Sequence, residues 1–319
     1  IKHKTFFPGY PQVLSNGDVE KAFVDADHVV SGEVRLGGQE HFYLETHAAI
    51  AIPRDSDELE MFASTQMPAE VQRRVAKLLK IPSNRVVCRT KRLGGGFGGK
   101  ETRSCVLAMH VAFAAYKLRK PVRCMLDRDV DMMITGGRNP FLFKYKVAFT
   151  KEGIITGLDV DAYQNAGYSM DYSFLVMEKA VNGVINSYQI PNVKVRSNVM
   201  KTNTPSNTAF RGFGSPQGMF VGEHIIRDVA RVTQKDILEI MSLNMINTGD
   251  MTHYGQTLEN CNILRCFNEV RESSKIDERR QEIENFNSKN RWKKRGISLV
   301  NTMFAIGFPP KFMNQAGAL

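Results

Sequence analysis

The chain has 319 residues, of which 42% are apolar and 24% charged, an ordinary globular balance with length enough for two domains or one large one. No apolar run approaches the ~20 residues of a membrane-spanning helix, and no signal peptide opens the chain. The net charge of +10, from 43 basic and 33 acidic residues, is scattered among acids; its densest run, residues 291–295, reads as a solvated face and not a nucleic-acid patch, and an anionic cofactor suits the charge at least as well.

The chain begins with Ile1 in a loop-like stretch, residues 5–11, as expected of a piece of a longer polypeptide. Residues 59–65 predict a strand, and 70–80 a helix with Val71, Val75, Leu78 and Leu79 on one face. Pro82, Ser83 and Asn84 then break the chain before a second strand, 85–90. A glycine-rich turn, 94–99, leads into a helix expected at 101–119, with Leu107, Val111, Ala115 and Leu118 aligned. Residues 121–127 predict another strand. Phe141, Phe143, Tyr145, Val147 and Phe149 alternate strictly and are expected to pair with 154–162 across a turn at 151–153.

Residues 165–213 are rich in turn formers around one strand-like run, 193–200, and are expected to be irregular functional loops. Helices follow at 217–233, 236–247, 258–272 and 277–289, and 297–308 predicts a new strand. Gly and polar residues cluster at 248–255. These elements predict an α+β architecture: one complete domain, a helical connection and the opening of a second domain.

Five cysteines, Cys88, Cys105, Cys124, Cys261 and Cys266, form no Cys-x-x-Cys pair, so zinc or iron–sulfur ligation by this chain is not expected. Cys88 and Cys124 fall in strand-like runs and Cys105 in a helical one, which predicts buried, reduced thiols and a cytosolic setting.

The glycine turn is the most distinctive feature. Five glycines in six residues expose backbone N–H groups suited to an anion, and they suit a tight structural turn equally. Gly-Lys-Ser/Thr is missing, which excludes a Walker loop, and no acid stands where a dinucleotide fingerprint needs one. Glu101, at the expected start of a helix, fits a dipole-favoured acid as well as a site carboxylate. Gln66 ends a strand, where a solvent-facing turn residue is as natural as a ligand contact. Arg211 is flanked by Phe210 and Phe213, an aromatic group that packs into a core as readily as around a ligand.

In combination these stretches are more specific. Gly94-Gly95-Gly96-Phe97-Gly98-Gly99-Lys100-Glu101-Thr102-Arg103, Lys201-Thr202-Asn203, Pro205-Ser206-Asn207-Thr208-Ala209-Phe210-Arg211-Gly212-Phe213-Gly214 and Asn314-Gln315-Ala316-Gly317 resemble the xanthine dehydrogenase/aldehyde oxidase family of molybdenum hydroxylases. So do residues 38–46 and 290–296, and the resemblance runs in order from about Tyr10 to Leu319.

The resemblance implies a molybdenum–molybdopterin cofactor. Gln66 would hydrogen-bond an oxygen ligand of the metal, Phe97 would sit beside the metal with Gly96 and Gly98 in the loop that holds the cofactor, and Arg211 would line its other side. On the substrate side, Glu101 would bind a purine edge, and Phe213 and Phe308 would enclose the heterocycle by face and edge. The implied activity is oxidation of hypoxanthine and xanthine to urate, by attack of a metal-bound hydroxide and hydride transfer to the molybdenum centre.

Two positions depart from the family pattern. Lys179 stands in place of an arginine that steadies charge on the purine oxygen, so the planar fork is lost. Pro309 replaces a threonine and brings neither hydroxyl nor N–H. Glu101 favours a purine, while Lys179 and Pro309 keep an aldehyde-oxidase-like hydroxylase as the alternative. A non-catalytic remnant that keeps the fold is the alternative of a different class.

By the same resemblance, residues 1–13 are the end of a preceding domain or linker, and 14–248 the first molybdopterin-binding domain. Residues 249–290 are the helical connection and 291–319 the truncated start of a second such domain. The general-base glutamate is expected beyond Leu319, so no catalytic residue is assigned within this chain. FAD and 2Fe-2S clusters are expected in the remaining domains of a parent enzyme, a homodimer in the cytoplasm or peroxisome. The chain by itself is expected to be inactive, since a general base alone contributes about 10²–10⁴ in rate.

Overall fold

The computed structural model describes residues 5–307. The chain opens with β1 (Gln12–Asn16), α1 (Val19–Asp25), β2 (His28–Leu36), β3 (Ala48–Pro53) and β4 (Leu59–Ala63). It continues through α2 (Pro68–Leu79), β5 (Val86–Arg89), α3 (Ser104–Leu118), β6 (Val122–Met125) and α4 (Arg128–Thr135). Then come β7 (Phe141–Phe149), β8 (Ile155–Gly167), α5 (Ser173–Asn182) and β9 (Asn192–Lys201). The last helices are α6 (Ser215–Thr233), α7 (Ile237–Asn244), α8 (Ile263–Ser273) and α9 (Ile276–Lys289). No helix among the described residues is long and apolar enough to cross a membrane.

Two sheets result, and the fold is α+β. The larger has the order β1-β9-β8-β7-β2; β8 and β9 run parallel and the other neighbours antiparallel. The alternating Phe143, Tyr145 and Val147 of β7 join Leu158, Val160, Val193 and Val195 in one core with Val176 and Ala180 of α5 and Val221 and Ile225 of α6. The smaller sheet, β5-β4-β3-β6, places β4 and β5 in parallel with α2 as their connection. Its core is Ala51 and Met61 packed on Val71 and Val75 of α2 and Ala108 and Ala112 of α3.

Helices α5 and α6 meet backbone to backbone. A Cβ at Gly214, just before α6, would collide with the carbonyl oxygen of Val176, and one at Gly218 with that of Ala180. The polypeptide leading into α6 is thereby fixed against α5.

Several expectations are corrected. The helix expected from Glu101 begins at Ser104, because Phe97 and Gly98 adopt left-handed backbone (φ 54° and 100°) and turns occupy the residues after them. Segment 165–213 is not simply irregular: it holds the end of β8, all of α5 and all of β9. Leu175, Val176, Met177, Ala180 and Val181 bury α5 on several sides, so it has no one-sided apolar period. Leu78 and Leu118 are 44% and 64% exposed, since α2 buries the stripe through Val71, Val75 and Ala76, and α3 that through Ala108, Val111, Ala112 and Ala115.

The helix expected from 258 starts at Ile263, and no strand forms over 297–307. There the side chain of Asn186 binds the carbonyl of Asn301 at 2.9 Å and the amide of Met303 at 3.1 Å, so a side chain takes the place of a neighbouring strand. The elements β1, α1, β2, β3 and α4 add to those expected from sequence. All five cysteines are free thiols, but of the three expected to be buried only Cys105 is so; Cys88 and Cys124 are half-buried.

Candidate functional site

Four connections converge where the two sheets meet. Gln66 follows β4, residues 94–103 join β5 to α3, Asp171 and Tyr172 join β8 to α5, and residues 202–214 join β9 to α6. The first two leave the smaller sheet and the last two the larger.

Gln66 is tied to the glycine loop by its side-chain oxygen, which accepts from the amides of Gly98 at 2.9 Å and Lys100 at 3.2 Å. Its own amide donates to the Lys100 carbonyl at 2.9 Å. The side chain is exposed, and among the described residues its NH₂ group has no partner. The same holds for the backbone N–H groups of Gly95, Gly96 and Phe97. At Gly96 a Cβ would collide with the Gln66 side chain, and at Gly98 it would lie 2.5 Å from the Ala209 carbonyl oxygen. The loop can therefore follow this path only with glycine at 98, where φ is 100° and the obstacle is backbone, while a side chain at 96 would displace Gln66.

The strap 202–214 lies across that loop. The Arg211 amide donates to the Phe97 carbonyl at 2.9 Å, and the Arg211 carbonyl accepts from the Arg138 guanidinium at 2.8 Å. Arg138 also donates to the Phe213 carbonyl at 3.3 Å and stands over the Phe210 ring at 4.1 Å. His41 stacks on Phe210 with centroids 4.6 Å apart and donates through Nε2 to the Ala209 carbonyl at 2.7 Å. Burial pulls the His41 pKa down to about 4 against the opposing pull of that carbonyl, so the ring is neutral at pH 7. Phe97 is 45% exposed and the Arg211 side chain is exposed, so both remain open to a ligand.

Lys100, the cation that directly follows the glycines, does not face a ligand. It is 0% exposed, donates to the Glu45 carbonyl and the Ser64 hydroxyl at 2.7 Å each, pairs with the Glu45 carboxylate at 3.2 Å and lies over the Tyr43 ring. It is a buried strut that sets the base of the loop.

Glu101, past the glycines, is half-buried; burial first, and then the negative charge of Asp171, push its pKa up to about 7. Tyr172 lies near this pair, and its ring centroid is 6.4 Å from that of Phe213. Among the described residues Tyr172, which sequence reasoning missed, is thus an aromatic neighbour of Phe213. Phe308 and Pro309 lie outside the described residues.

Lys179 sits on α5, is 7% exposed and donates to the Gly307 carbonyl at 2.7 Å. Burial lowers its pKa, with Glu178 opposing. It lines a cavity of about 800 Å³ together with Tyr10, Phe174, Ser215, Tyr254 and Gly307. The structure therefore gathers Gln66, Gly96, Phe97, Gly98 and Arg211 into one surface with Glu101 and Phe213 adjoining, and sets Lys179 behind the strap, linked to it where α5 meets Gly214. Of the other residues missed from sequence, His41 lies within a stretch that carried the family resemblance, whereas Arg138 and Asp171 lie in none.

These residues fit a molybdopterin. The phosphate and oxygen atoms of such a group need donors, and the loop amides, the Gln66 NH₂ and the Arg211 guanidinium are all donors. A phenyl ring and a guanidinium do not ligate a metal, so Phe97 and Arg211 would flank molybdenum and not coordinate it.

Comparison with known proteins agrees with this chemistry. A family model described as molybdopterin cofactor-binding domain matches residues 4–245, and a second of the same description matches residues 269–319. Over 319 residues the chain is 61% identical to a xanthine dehydrogenase of Calliphora vicina, covering all of this chain and 24% of that protein. It is 51% identical over 321 residues to a xanthine dehydrogenase/oxidase of Mus musculus, again 24% of that protein. The chain thus spans about a quarter of the length of these relatives. Among solved structures, the aldehyde oxidoreductase of Desulfovibrio gigas superposes with a TM-score of 0.79 at 24% identity, covering 91% of this chain and 31% of that one. A quinoline 2-oxidoreductase of Pseudomonas putida 86 gives the same score and identity over 87% of this chain and 36% of its own. At that identity the likeness speaks for the fold alone.

Proposed function

The chain belongs to the molybdopterin cofactor-binding domain family, and from this we propose that it forms one wall of the molybdenum site in a hydroxylase that oxidises hypoxanthine and xanthine to urate. The observation that carries the proposal is Gln66. Its side-chain oxygen is committed to the glycine loop, and its NH₂ is left as a donor among the described residues.

The molybdenum centre, when bound, supplies the oxidising equivalents and the site of hydroxylation. The residues of this chain bind and orient. Gln66 donates to an oxygen of the cofactor, the Gly95–Phe97 amides and Arg211 bind its anionic groups, and Phe97 and Gly98 keep the loop in the conformation that makes this possible. With a pKa of about 7, Glu101 is available both as a donor and as an acceptor near neutrality, which suits the alternating ring nitrogens of a purine. Phe213 offers a ring to stack on the heterocycle. Lys179 has three donors, and one is engaged by Gly307, leaving two for a purine oxygen.

That same engagement favours a second reading. A cation already occupied by a backbone carbonyl binds a purine oxygen less well than a free arginine fork, which leaves room for an aldehyde-oxidase-like preference. The rest of the parent protein would carry the general base, further pterin contacts, FAD and the 2Fe-2S clusters. We take residues 14–248 as the first cofactor domain, 249–290 as a connection and 291–319 as the start of the second, within a homodimer. The test is turnover of hypoxanthine and of an aldehyde by the full-length protein, with its molybdenum and pterin content measured alongside. Hypoxanthine oxidation with bound metal is the expected result. Aldehyde-only turnover removes the purine assignment, and a folded protein free of both metal and pterin points to a non-catalytic remnant.

A further inference from the structure

One carboxylate joins three of the segments that approach the substrate side among the described residues. Asp171, in the turn before α5, has a side chain only 6% exposed. One of its oxygens accepts from the Thr102 hydroxyl at 2.7 Å; the other accepts from the Thr208 hydroxyl and from the amide of Tyr172, each at 2.7 Å. Arg103 approaches it at 3.7 Å. Thr102 follows Glu101, Thr208 lies in the strap that leads to Arg211 and Phe213, and Tyr172 opens the helix that carries Lys179.

Asp171 holds this position with φ at 45°, a backbone conformation that an aspartate adopts only at a cost. Such strain persists where the surroundings over-determine it. Here two short hydrogen bonds from two other segments, with a third from the amide of the next residue, do so.

We propose that Asp171 is a positioning residue that clasps the loop exit, the strap and α5 into one register and holds a negative charge beside Glu101. The second part rests on the purine site proposed above; the first does not. The groups around Glu101 are Asp171 and Tyr172 from the turn before α5, with Arg103 paired to Asp171 and Arg74 of α2 contributing to the field at Tyr172. Of these, Asp171 is the charge that acts on Glu101, and it acts to keep the proton on. Its neutralisation lets Glu101 ionise at lower pH.

The test uses the full-length protein with Asp171→Asn and Asp171→Ala. Asparagine removes the charge while keeping one of the two acceptor oxygens, and it tolerates left-handed backbone better than most residues, so it spares most of the clasp; alanine removes the clasp. Hydrogen exchange is followed in peptides covering 94–103, 166–173 and 202–214. The pH dependence of kcat/KM for hypoxanthine is measured alongside, with Glu101→Gln identifying the limb that Glu101 contributes.

Asp171→Ala is expected to accelerate exchange in all three segments at once, by about tenfold or more, equivalent to loss of at least ~1.4 kcal/mol of local protection. Asp171→Asn is expected to hold the segments more firmly and to move the Glu101 limb to lower pH by about half a unit or more. Faster exchange confined to 166–173 overturns the clasp. An unmoved limb in Asp171→Asn overturns the electrostatic part, even where kcat falls. If the wild-type protein oxidises no purine, the purine site fails instead, and the exchange arm still decides the clasp.

Discussion

The Arg211 amide donates to the Phe97 carbonyl at 2.9 Å, so the strap and the glycine loop share a backbone hydrogen bond although they are far apart in sequence. The two cofactor-facing segments are therefore positioned by each other. The bond depends on close approach at the next residue, where Gly98 lies against Ala209.

Gly98→Ala tests that dependence. The new methyl would meet the Ala209 oxygen at 2.5 Å on a backbone with φ of 100°. Strain of this kind costs about 1–3 kcal/mol, and the strap must also move. The full-length variant is expected to show a lower Tm and to lose most of its molybdenum; wild-type metal content would contradict this.

Gln66→Glu and Gln66→Ala separate the two ends of one amide. Glutamate retains oxygens to accept from Gly98 and Lys100 but has no NH₂ to donate, so the loop stays folded while the contact to the cofactor is lost. A hydrogen bond of that type is worth roughly 1.5–3 kcal/mol, and kcat/KM should fall about 10- to 100-fold with Tm nearly unchanged. Alanine should lower both. Wild-type kcat/KM in Gln66→Glu would show that the side chain serves the loop alone.

Glu101 and His41 tilt stability in opposite directions over the same pH range. Glu101, raised from 4.5 to about 7, holds its proton more tightly in the folded chain, so its contribution is complete below ~4.5 and is lost as pH rises through 7. His41, lowered from 6.5 to about 4, favours the folded chain above ~6.5 and surrenders that contribution as pH falls towards 4. Glu101→Gln should steepen the decline of Tm on acidification, and His41→Gln should flatten it. Melting curves at intervals between pH 4 and 7 check both signs.

Lys100→Met removes the strut under the loop. Lys100 is wholly enclosed, while Glu45 keeps 32% of its side chain open and retains Ser64 and the Gly94 amide as donors. The expected loss is roughly 2–4 kcal/mol, towards the lower side for a broken buried pair. Chemical denaturation measures it, and a loss under ~1 kcal/mol would mean that the methionine packs as well as the pair it replaces.

The elements most legible in the sequence are those with one wet face. The strict alternation of Phe141 to Phe149 marks β7 because every second residue meets solvent or a helix, and Val71 and Val75 mark α2 for the analogous reason at helical spacing. Helix α5 escapes because it is buried on several sides, and the stretch after Ile297 misleads because apolar content alone does not say whether a strand or an asparagine side chain will satisfy its backbone. The site divides in the same way. Gln66, Phe97 and Arg211 stand out through long motifs, but Glu101 is misplaced as a helix opener because left-handed residues delay the helix. Asp171 leaves no trace, since its role exists only once Thr102, Thr208 and Tyr172 have been brought to it.

The contact of Gly214 and Gly218 with α5 has a mechanical consequence. Nothing compressible lies between the two backbones: main-chain atoms of one helix rest directly on those of the other. The backbones of Phe213, one residue before that junction, and of Lys179, one residue before Ala180, are consequently held at one separation. A molecule lodged against both would be gauged by its length, and a bulkier one could not gain room by tilting α5 alone; it would have to shift the whole α5–α6 pair.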